Sequence, residues 1–175
     1  MAGGEDVNEV VFDNVLVPKD RIVGEPGNGW QQVTSELAYE RAGPERFLSS
    51  FRVFVELVRV CGDNPSPHQA AAIGRIASHF MALRRMSLSV AGMLEAGKDV
   101  GVEAALVKEL GNNFEKLLPE IARLVVPDFS AIDPDKQRLF RETFEETLML
   151  SPSFTLRGGT REILRGVIAR GLGLR

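Results

Sequence analysis

The feature that most constrains this chain is a long amphipathic pattern over residues 29–61, GWQQVTSELAYERAGPERFLSSFRVFVELVRVC. Its apolar residues recur at steps of three and four, the spacing that forms one apolar face on an α-helix. They are Trp30, Val33, Leu37, Phe47, Leu48, Phe51, Phe54, Val55 and Val58. Such a face needs other helices to cover it. Because proline has no amide hydrogen and crowds the preceding turn, Gly43 and Pro44 predict a kink or a short break.

The rest of the chain repeats this helical pattern after clear breaks. The segment GDNPSP ends the first helix, and apolar spacing predicts further helices over residues 67–96, 100–126 and 134–150, the last capped by Asp133. Pro119 lies inside the third helix, where it predicts a kink or a shortened helix. A shorter helix begins after Thr160, its predicted N-cap. We therefore expect an all-α fold, an antiparallel up-and-down four-helix bundle with a short C-terminal helix.

The N-terminal region differs from the helical part. The run VVFDNVLVP is rich in β-branched residues around the turn-like pair Asp13 and Asn14, which predicts one or two short strands. A two-stranded ribbon is marginal by itself, so it would pack on the helices or belong to a larger sheet. Glycines and a proline then lead into the first helix, with Asn28 as its predicted N-cap.

Composition excludes several classes of function. With 175 residues and 44% apolar content the chain has the size of one domain and enough apolar side chains for a core. A net charge of -3 gives no basic field for nucleic acid, and the single cysteine, Cys61, allows neither an intrachain disulfide nor a cysteine cluster for a metal. The sequence has no run long enough to span a membrane and no signal-peptide pattern at its start, so we expect a cytoplasmic protein.

Three blocks of this sequence resemble a known family. They are VVFDNVLVPKDRIVGEPGNGW, the first helix with its YER, and RGGTREILRGVIARGLGL, and VEAALVKEL is a weaker fourth. In this order they resemble the C-terminal part of the acyl-CoA dehydrogenases. The resemblance implies the end of a middle β domain with its linker over residues 1–27 and a helical bundle domain over residues 28–175. The chain is thus expected to be a fragment of a longer protein.

The resemblance also implies a chemistry. Acyl-CoA dehydrogenases use FAD in fatty acid metabolism: a carboxylate removes the α-proton of an acyl-CoA thioester while the β-hydride passes to the flavin. Members assemble through their bundles, so we expect a homo- or hetero-oligomer, a dimer or a tetramer. The acyl group and the electron acceptor are left open, and this segment by itself is expected to be inactive.

The catalytic base is where the chain departs from the commonest family pattern. Many members carry a glutamate where this sequence has Gly158, which has no side chain to accept a proton. A minority carry the base on the first long helix, directly before an arginine, and Glu40 followed by Arg41 matches that placement. We therefore expect Glu40 to be the base, with Glu36 one turn earlier as the alternative. Arg41 resembles the arginine that holds CoA, although an ion pair within the helix or a solvated Glu40 is also open.

Four residues match family positions that contact FAD. Thr160 and Glu162 lie at the start of the last helix, and a helix N-terminus suits a polar or anionic ligand. A carboxylate at Glu162 would repel the pyrophosphate, which weakens that match. Arg59 and Gln69 match the remnant of a family motif that binds the FAD of a neighbouring subunit. A solvated position at the end of a helix explains Arg59 equally well.

Three other functions fit the same sequence. A catalytically degenerate subunit would explain Gly158 and would support oligomerisation beside an active partner. Such a subunit would not need a buried carboxylate at position 40. A flavin monooxygenase or a nitroalkane-type oxidase would share the fold and would be distinguished by reoxidation of the flavin with oxygen. A helical interaction domain without a ligand would show no flavin binding at all.

Overall fold

The computed structural model describes residues 8–174, and within them six α-helices. The helices are α1 (Gly29–Ala42), α2 (Phe51–Cys61), α3 (Pro67–Glu95), α4 (Gly101–Val125), α5 (Pro134–Leu150) and α6 (Arg161–Gly171). Short 3-10 turns lie at Lys19–Arg21, Pro44–Arg46, Phe129–Ala131 and Ser151–Thr155. The predicted all-α class is confirmed.

Helix α4 is the centre of the fold. It contacts each of the other five helices, and α2 also contacts α3 and α5. Apolar side chains of α4 such as Val107, Phe114, Leu118 and Ala122 are buried in the main core cluster. Different faces of α4 therefore pack against different helices. The up-and-down order of the bundle and the domain boundary at residue 28 stay predictions.

The first predicted helix is broken, as Gly43 and Pro44 indicated. Helix α1 ends at Ala42, a 3-10 turn spans Pro44–Arg46, and α2 starts at Phe51. The turn lies directly on α4 at Gly111, where a Cβ atom would overlap the carbonyl oxygen of Arg46. Glycine is required here because two backbones approach each other. This contact holds the end of α1 against the central helix.

The other helix boundaries follow from local chemistry. Helix α3 begins with a capping box, in which the Ser66 side chain accepts from the Gln69 amide and the Gln69 side chain accepts from the Ser66 amide. Asp133 caps α5 as predicted, since its carboxylate accepts two backbone amides. Pro119 does not shorten α4, which continues to Val125. Thr160 occupies the N-cap position of α6 without a capping side-chain hydrogen bond, and Asn28 does the same at α1.

The predicted short β segment is not confirmed. Residues 8–174 contain no strand, and the apolar side chains between residues 10 and 17 are exposed. A strand needs a neighbouring strand for its backbone hydrogen bonds, and the described part of the chain offers none. The start of α1 departs from expectation in the same way, because Trp30 and Val33 are exposed rather than buried. No helix among the described residues combines the length and apolarity needed to cross a membrane.

Candidate active site

The end of α1 meets the loop that precedes α6. The Glu40 Oε1 atom lies 3.3 Å from the position that a Cβ atom on Gly158 would take. The Nε of Arg41 donates a hydrogen bond of 3.0 Å to the Gly158 carbonyl oxygen. Gly158 and Gly159 have φ of +65° and +107°, a region that glycine adopts without strain. The two candidate residues of α1 and the terminal loop, 117 positions apart in the chain, therefore form one site.

Arg46 holds Glu40 in place. Its Nη2 forms an ion pair of 2.5 Å with Glu40 Oε1, and its Nε donates to the Glu40 carbonyl oxygen at 2.8 Å. The Arg46 side chain is only 7% exposed, whereas the Glu40 side chain is 36% exposed. The arrangement fixes the carboxylate by an ion pair while part of it remains open to solvent. The YER motif and the turn after it thus fold into a single unit.

Lys108 on α4 lies next to this unit. Its residue is 0% exposed, and its Nζ donates to Asn112 Oδ1 and, at 2.9 Å, to the Phe154 carbonyl oxygen. Its Cε lies 3.5 Å from the same Cβ position on Gly158 that Glu40 approaches. Burial and, to a smaller extent, two neighbouring arginines lower the Lys108 pKa from 10.5 to about 8, against the opposing effect of two glutamates.

Glu115 and Arg157 extend the site along α4. The fully buried Glu115 accepts from the Ser49 amide at 3.0 Å and pairs with Arg157 Nη2 at 3.3 Å. Burial raises the Glu115 pKa, while Arg157 and the bonds from Ser49 oppose that rise. Arg157 also donates to the Ser49 hydroxyl at 2.9 Å. We call five residues the charge cluster: Glu40, Arg46, Lys108, Glu115 and Arg157.

Sequence reasoning missed most of the charge cluster. Lys108, Asn112 and Glu115 are spaced by four and three residues, so they lie on one face of α4 among buried apolar neighbours. This polar line inside an apolar helix was visible in the sequence. It carries information because lysine and glutamate are rarely buried without partners.

Thr160 and Glu162 lie near the site, at the start of α6. Thr160 is half-buried, and Glu162 is exposed, with its pKa lowered by hydrogen bonds from its own backbone and from the Thr160 side chain. Helix α6 is fixed to α4 through Glu109, which pairs with Arg161 at 3.1 Å and Arg165 at 2.9 Å. The start of α6 is therefore held in a defined position.

Arg59 and Gln69 are not brought to this site. The Gln69 side-chain amide donates to the carbonyl of Val125 at the far end of α4, which at 1.5 Å per residue is roughly 25 Å along the helix from Lys108. Arg59 is exposed and pairs with Glu56 at 2.6 Å. Glu36, the alternative base, is exposed on α1. The candidate residues thus divide into two separate groups.

Known proteins with similar sequences carry a common name. The chain is 30% identical over 186 residues to acyl-CoA dehydrogenase IpdE1 of Mycobacterium tuberculosis, covering 99% of this chain and 46% of that protein. It is 28% identical over 173 residues to acyl-CoA dehydrogenase FadE34 of the same species, covering 98% of this chain and 23% of the relative. The chain thus spans less than half the length of these relatives. No family model matches it.

Solved structures share the fold. A complex of glutaryl-coenzyme A dehydrogenase with glutaryl-CoA superposes with a TM-score of 0.74 at 19% identity, over 93% of this chain and 42% of that one. A variant of the steroid ACAD Tcur3481-Tcur3483 gives 0.73 at 23% identity, over 91% and 43%. These identities show the fold alone. Relatives in sequence and neighbours in fold together identify this chain as related to the C-terminal helical domain of the acyl-CoA dehydrogenases.

Proposed function

We propose that the chain is the C-terminal part of an FAD-dependent acyl-CoA dehydrogenase, which converts an acyl-CoA thioester into the trans-2-enoyl thioester. The names of the relatives support the reaction class. The observation that carries the proposal is the Glu40 carboxylate beside Gly158. The base that many family members carry at the Gly158 position is absent, and a carboxylate from α1 reaches the space next to it.

In this proposal Glu40 removes the proton. The hydrogen on the α-carbon of a thioester is weakly acidic, so the base must be ionised and held at a defined place. Arg46 holds the carboxylate at such a place through its ion pair and its bond to the Glu40 backbone. The α-proton would pass to a Glu40 carboxylate oxygen, and FAD, if held beside it, would supply the acceptor for the hydride of the β-carbon. Arg41 keeps the Gly158 loop against α1 through its own hydrogen bond.

The residues proposed for FAD fit the cofactor unequally. The first turn of α6 is a helix N-terminus, which suits a polar group of the cofactor, and Thr160 makes no capping bond there, although its hydroxyl and the Glu162 amide bond the Glu162 carboxylate. Glu162 does not suit an anion. Gln69 does not fit without rearrangement, because both ends of its side-chain amide already bond to the chain. Thr160 is therefore the residue of this set that best fits FAD.

A degenerate subunit is the second candidate. Position 158 has no side chain, and the Gln69 amide is engaged within the chain. Such a subunit would support assembly with an active partner chain. An oxidase or monooxygenase would instead be recognised by rapid reoxidation of its flavin with oxygen. The acyl-CoA substrate, the homo- or hetero-oligomer, the electron acceptor and the cytoplasmic location all stay proposals.

The test is the visible absorption of the natural protein, purified without added flavin, before and after addition of a panel of acyl-CoA thioesters. Bleaching of bound flavin is expected. Glu40→Gln should then slow bleaching by about 10³-fold, the size expected for loss of a general base. Glu36→Gln is the matched control, since it makes the same change one turn away at an exposed position. Unchanged bleaching in Glu40→Gln would remove Glu40 from the role, and absence of bleaching would favour the degenerate subunit.

A further inference from the structure

Lys108 has contacts that the proposed reaction does not use. A lysine at 0% exposure is uncommon, since its ammonium loses its hydration, and it needs partners to compensate. Its partners here are not carboxylates. The ammonium donates to the carbonyl oxygen of Phe154 and to the amide oxygen of Asn112. The side chain is therefore placed to connect α4 with the segment before α6.

The connection ends beside Glu40. Phe154 belongs to the turn Ser151–Thr155, which is followed after two residues by Gly158. The Lys108 Cε lies 3.5 Å from the position that a Cβ atom on Gly158 would take, and Glu40 Oε1 lies 3.3 Å from the same position. The lysine thus supports the loop at the place where the carboxylate approaches it. A shift of this loop would change the space in front of Glu40.

We propose that Lys108 is a positioning residue, which fixes the loop from Phe154 to Gly158 against α4 and thereby sets the position of the Gly158 turn relative to the Glu40 carboxylate. The part of this inference that concerns catalysis rests on the proposed role of Glu40. The part that concerns the loop rests on the hydrogen bonds of Lys108 alone.

The surroundings make this connection sensitive to pH. The charged groups around Lys108 are Arg46 from the turn after α1, Arg157 from the terminal loop, Glu115 on α4 and Glu40 on α1. Cations outnumber carboxylates in this charge cluster, and the proton of Lys108 is held with a pKa of about 8. Loss of that proton removes the charge assistance from both hydrogen bonds. The loop is then held less firmly above about pH 8.

Lys108→Met tests the role in the natural protein, because methionine keeps most of the chain length and removes the amine. The readout is the rate of flavin bleaching at saturating acyl-CoA, measured between about pH 6.5 and 9.5. The natural protein should lose rate as the pH rises through about 8. Lys108→Met should bleach the flavin at least about tenfold more slowly at pH 7, and its rate should not fall as the pH rises through this range. An unchanged rate, or the same step in the variant, would overturn the proposal.

Asn112→Asp provides a second variant of almost the same shape. It places a carboxylate next to the Lys108 ammonium, which should raise the midpoint of its titration by about one pH unit. NMR of protein with ¹³C-labelled lysine follows this titration directly, since the chain has five lysines and replacing the four exposed ones by arginine leaves only the Lys108 signal. The proposal would be overturned if Asn112→Asp did not move the midpoint of the Lys108 titration, or if the fall in bleaching rate with pH did not shift with that midpoint. Both outcomes can be observed even if Lys108→Met fails to fold.

The two proposals fail in different ways. If Glu40→Gln leaves bleaching unchanged while the lysine titration behaves as expected, the role of Glu40 is wrong and the support of the loop by Lys108 stands. If Glu40→Gln abolishes bleaching while the pH dependence of the rate is the same with and without Lys108, the role of Glu40 stands and the positioning role of Lys108 is wrong.

Discussion

Two regions of this molecule reverse the usual relation between residue type and burial. Between residue 10 and the start of α1, large apolar side chains lie in solvent, with Leu16 at 96% and Trp30 at 82% exposure. In α4, by contrast, Lys108 and Glu115 are each 0% exposed. The first region is apolar without a partner among residues 8–174, and the second is charged with partners from several elements. Burial here follows the neighbours available to a side chain rather than its polarity alone.

The comparison identifies where stability and function lie in the chain. The apolar side chains of α4 provide much of the core, and its charged side chains provide the candidate site on the same helix. The N-terminal residues contribute little to either among the contacts described. Substitutions in α4 should therefore have large effects, and substitutions in the N-terminal region should have small ones.

The largest loss of stability is expected from Leu118→Ala in α4. Leu118 is completely buried, and truncation leaves a cavity in the centre of the core. The free energy of unfolding should fall by about 2–5 kcal/mol. Denaturant titration followed by circular dichroism measures it. A loss under about 1 kcal/mol would mean that α4 is not the rigid centre of the fold.

The pH dependence of stability should follow Lys108. Its pKa is about 8 in the folded chain against an ordinary value of 10.5, so the folded state binds fewer protons than the unfolded state between these values. The free energy of unfolding should therefore rise from about pH 8 to about pH 10.5, by up to about 3 kcal/mol. The same series on Lys108→Met is the control for other groups that titrate. Equal slopes in both proteins would contradict the burial of a titrating lysine.

Gly111→Ala should be the next most harmful change. A Cβ on Gly111 would overlap the Arg46 carbonyl oxygen, and backbone cannot move aside as easily as a side chain. The expected loss is about 1–3 kcal/mol, as for other overpacked sites. Gly74→Ala in α3 is the matched control, because a Cβ at Gly74 meets nothing within 4 Å. That variant should gain up to about 1 kcal/mol from helix propensity. Equal effects at both positions would contradict the close contact at Gly111.

The helices could be predicted from the sequence because their signals are local. Apolar spacing and the Asp133 cap gave α5 its observed bounds, Pro134–Leu150, and Gly43 and Pro44 gave the break after α1. The predicted strands were not found, because a strand depends on a partner elsewhere, which a local pattern cannot reveal. The predicted burial of Trp30 and Val33 was wrong for the same reason, since periodicity predicts an apolar face but not what covers it.

The site was predictable only in part. Resemblance to a family pointed to Glu40 and Arg41, and the structure places both beside Gly158, but the role of Glu40 as a base stays a prediction. The pairing of Glu40 with Arg46 depends on the exact shape of the turn after α1, which spacing does not specify. The burial of Lys108 could have been suspected from the sequence alone, because its neighbours three and four residues away along α4 indicate a buried helix face.

The smallest effects are expected where apolar side chains are exposed. Leu16→Ser and Trp30→Ser should each change the free energy of unfolding of this chain by less than about 0.5 kcal/mol, because neither side chain loses burial. Denaturant titration at two protein concentrations provides the measurement. A loss above about 1 kcal/mol that grows with concentration would show that copies of the chain cover these residues in solution. A loss that is independent of concentration would place their partner within the chain and would end the contrast between this region and α4.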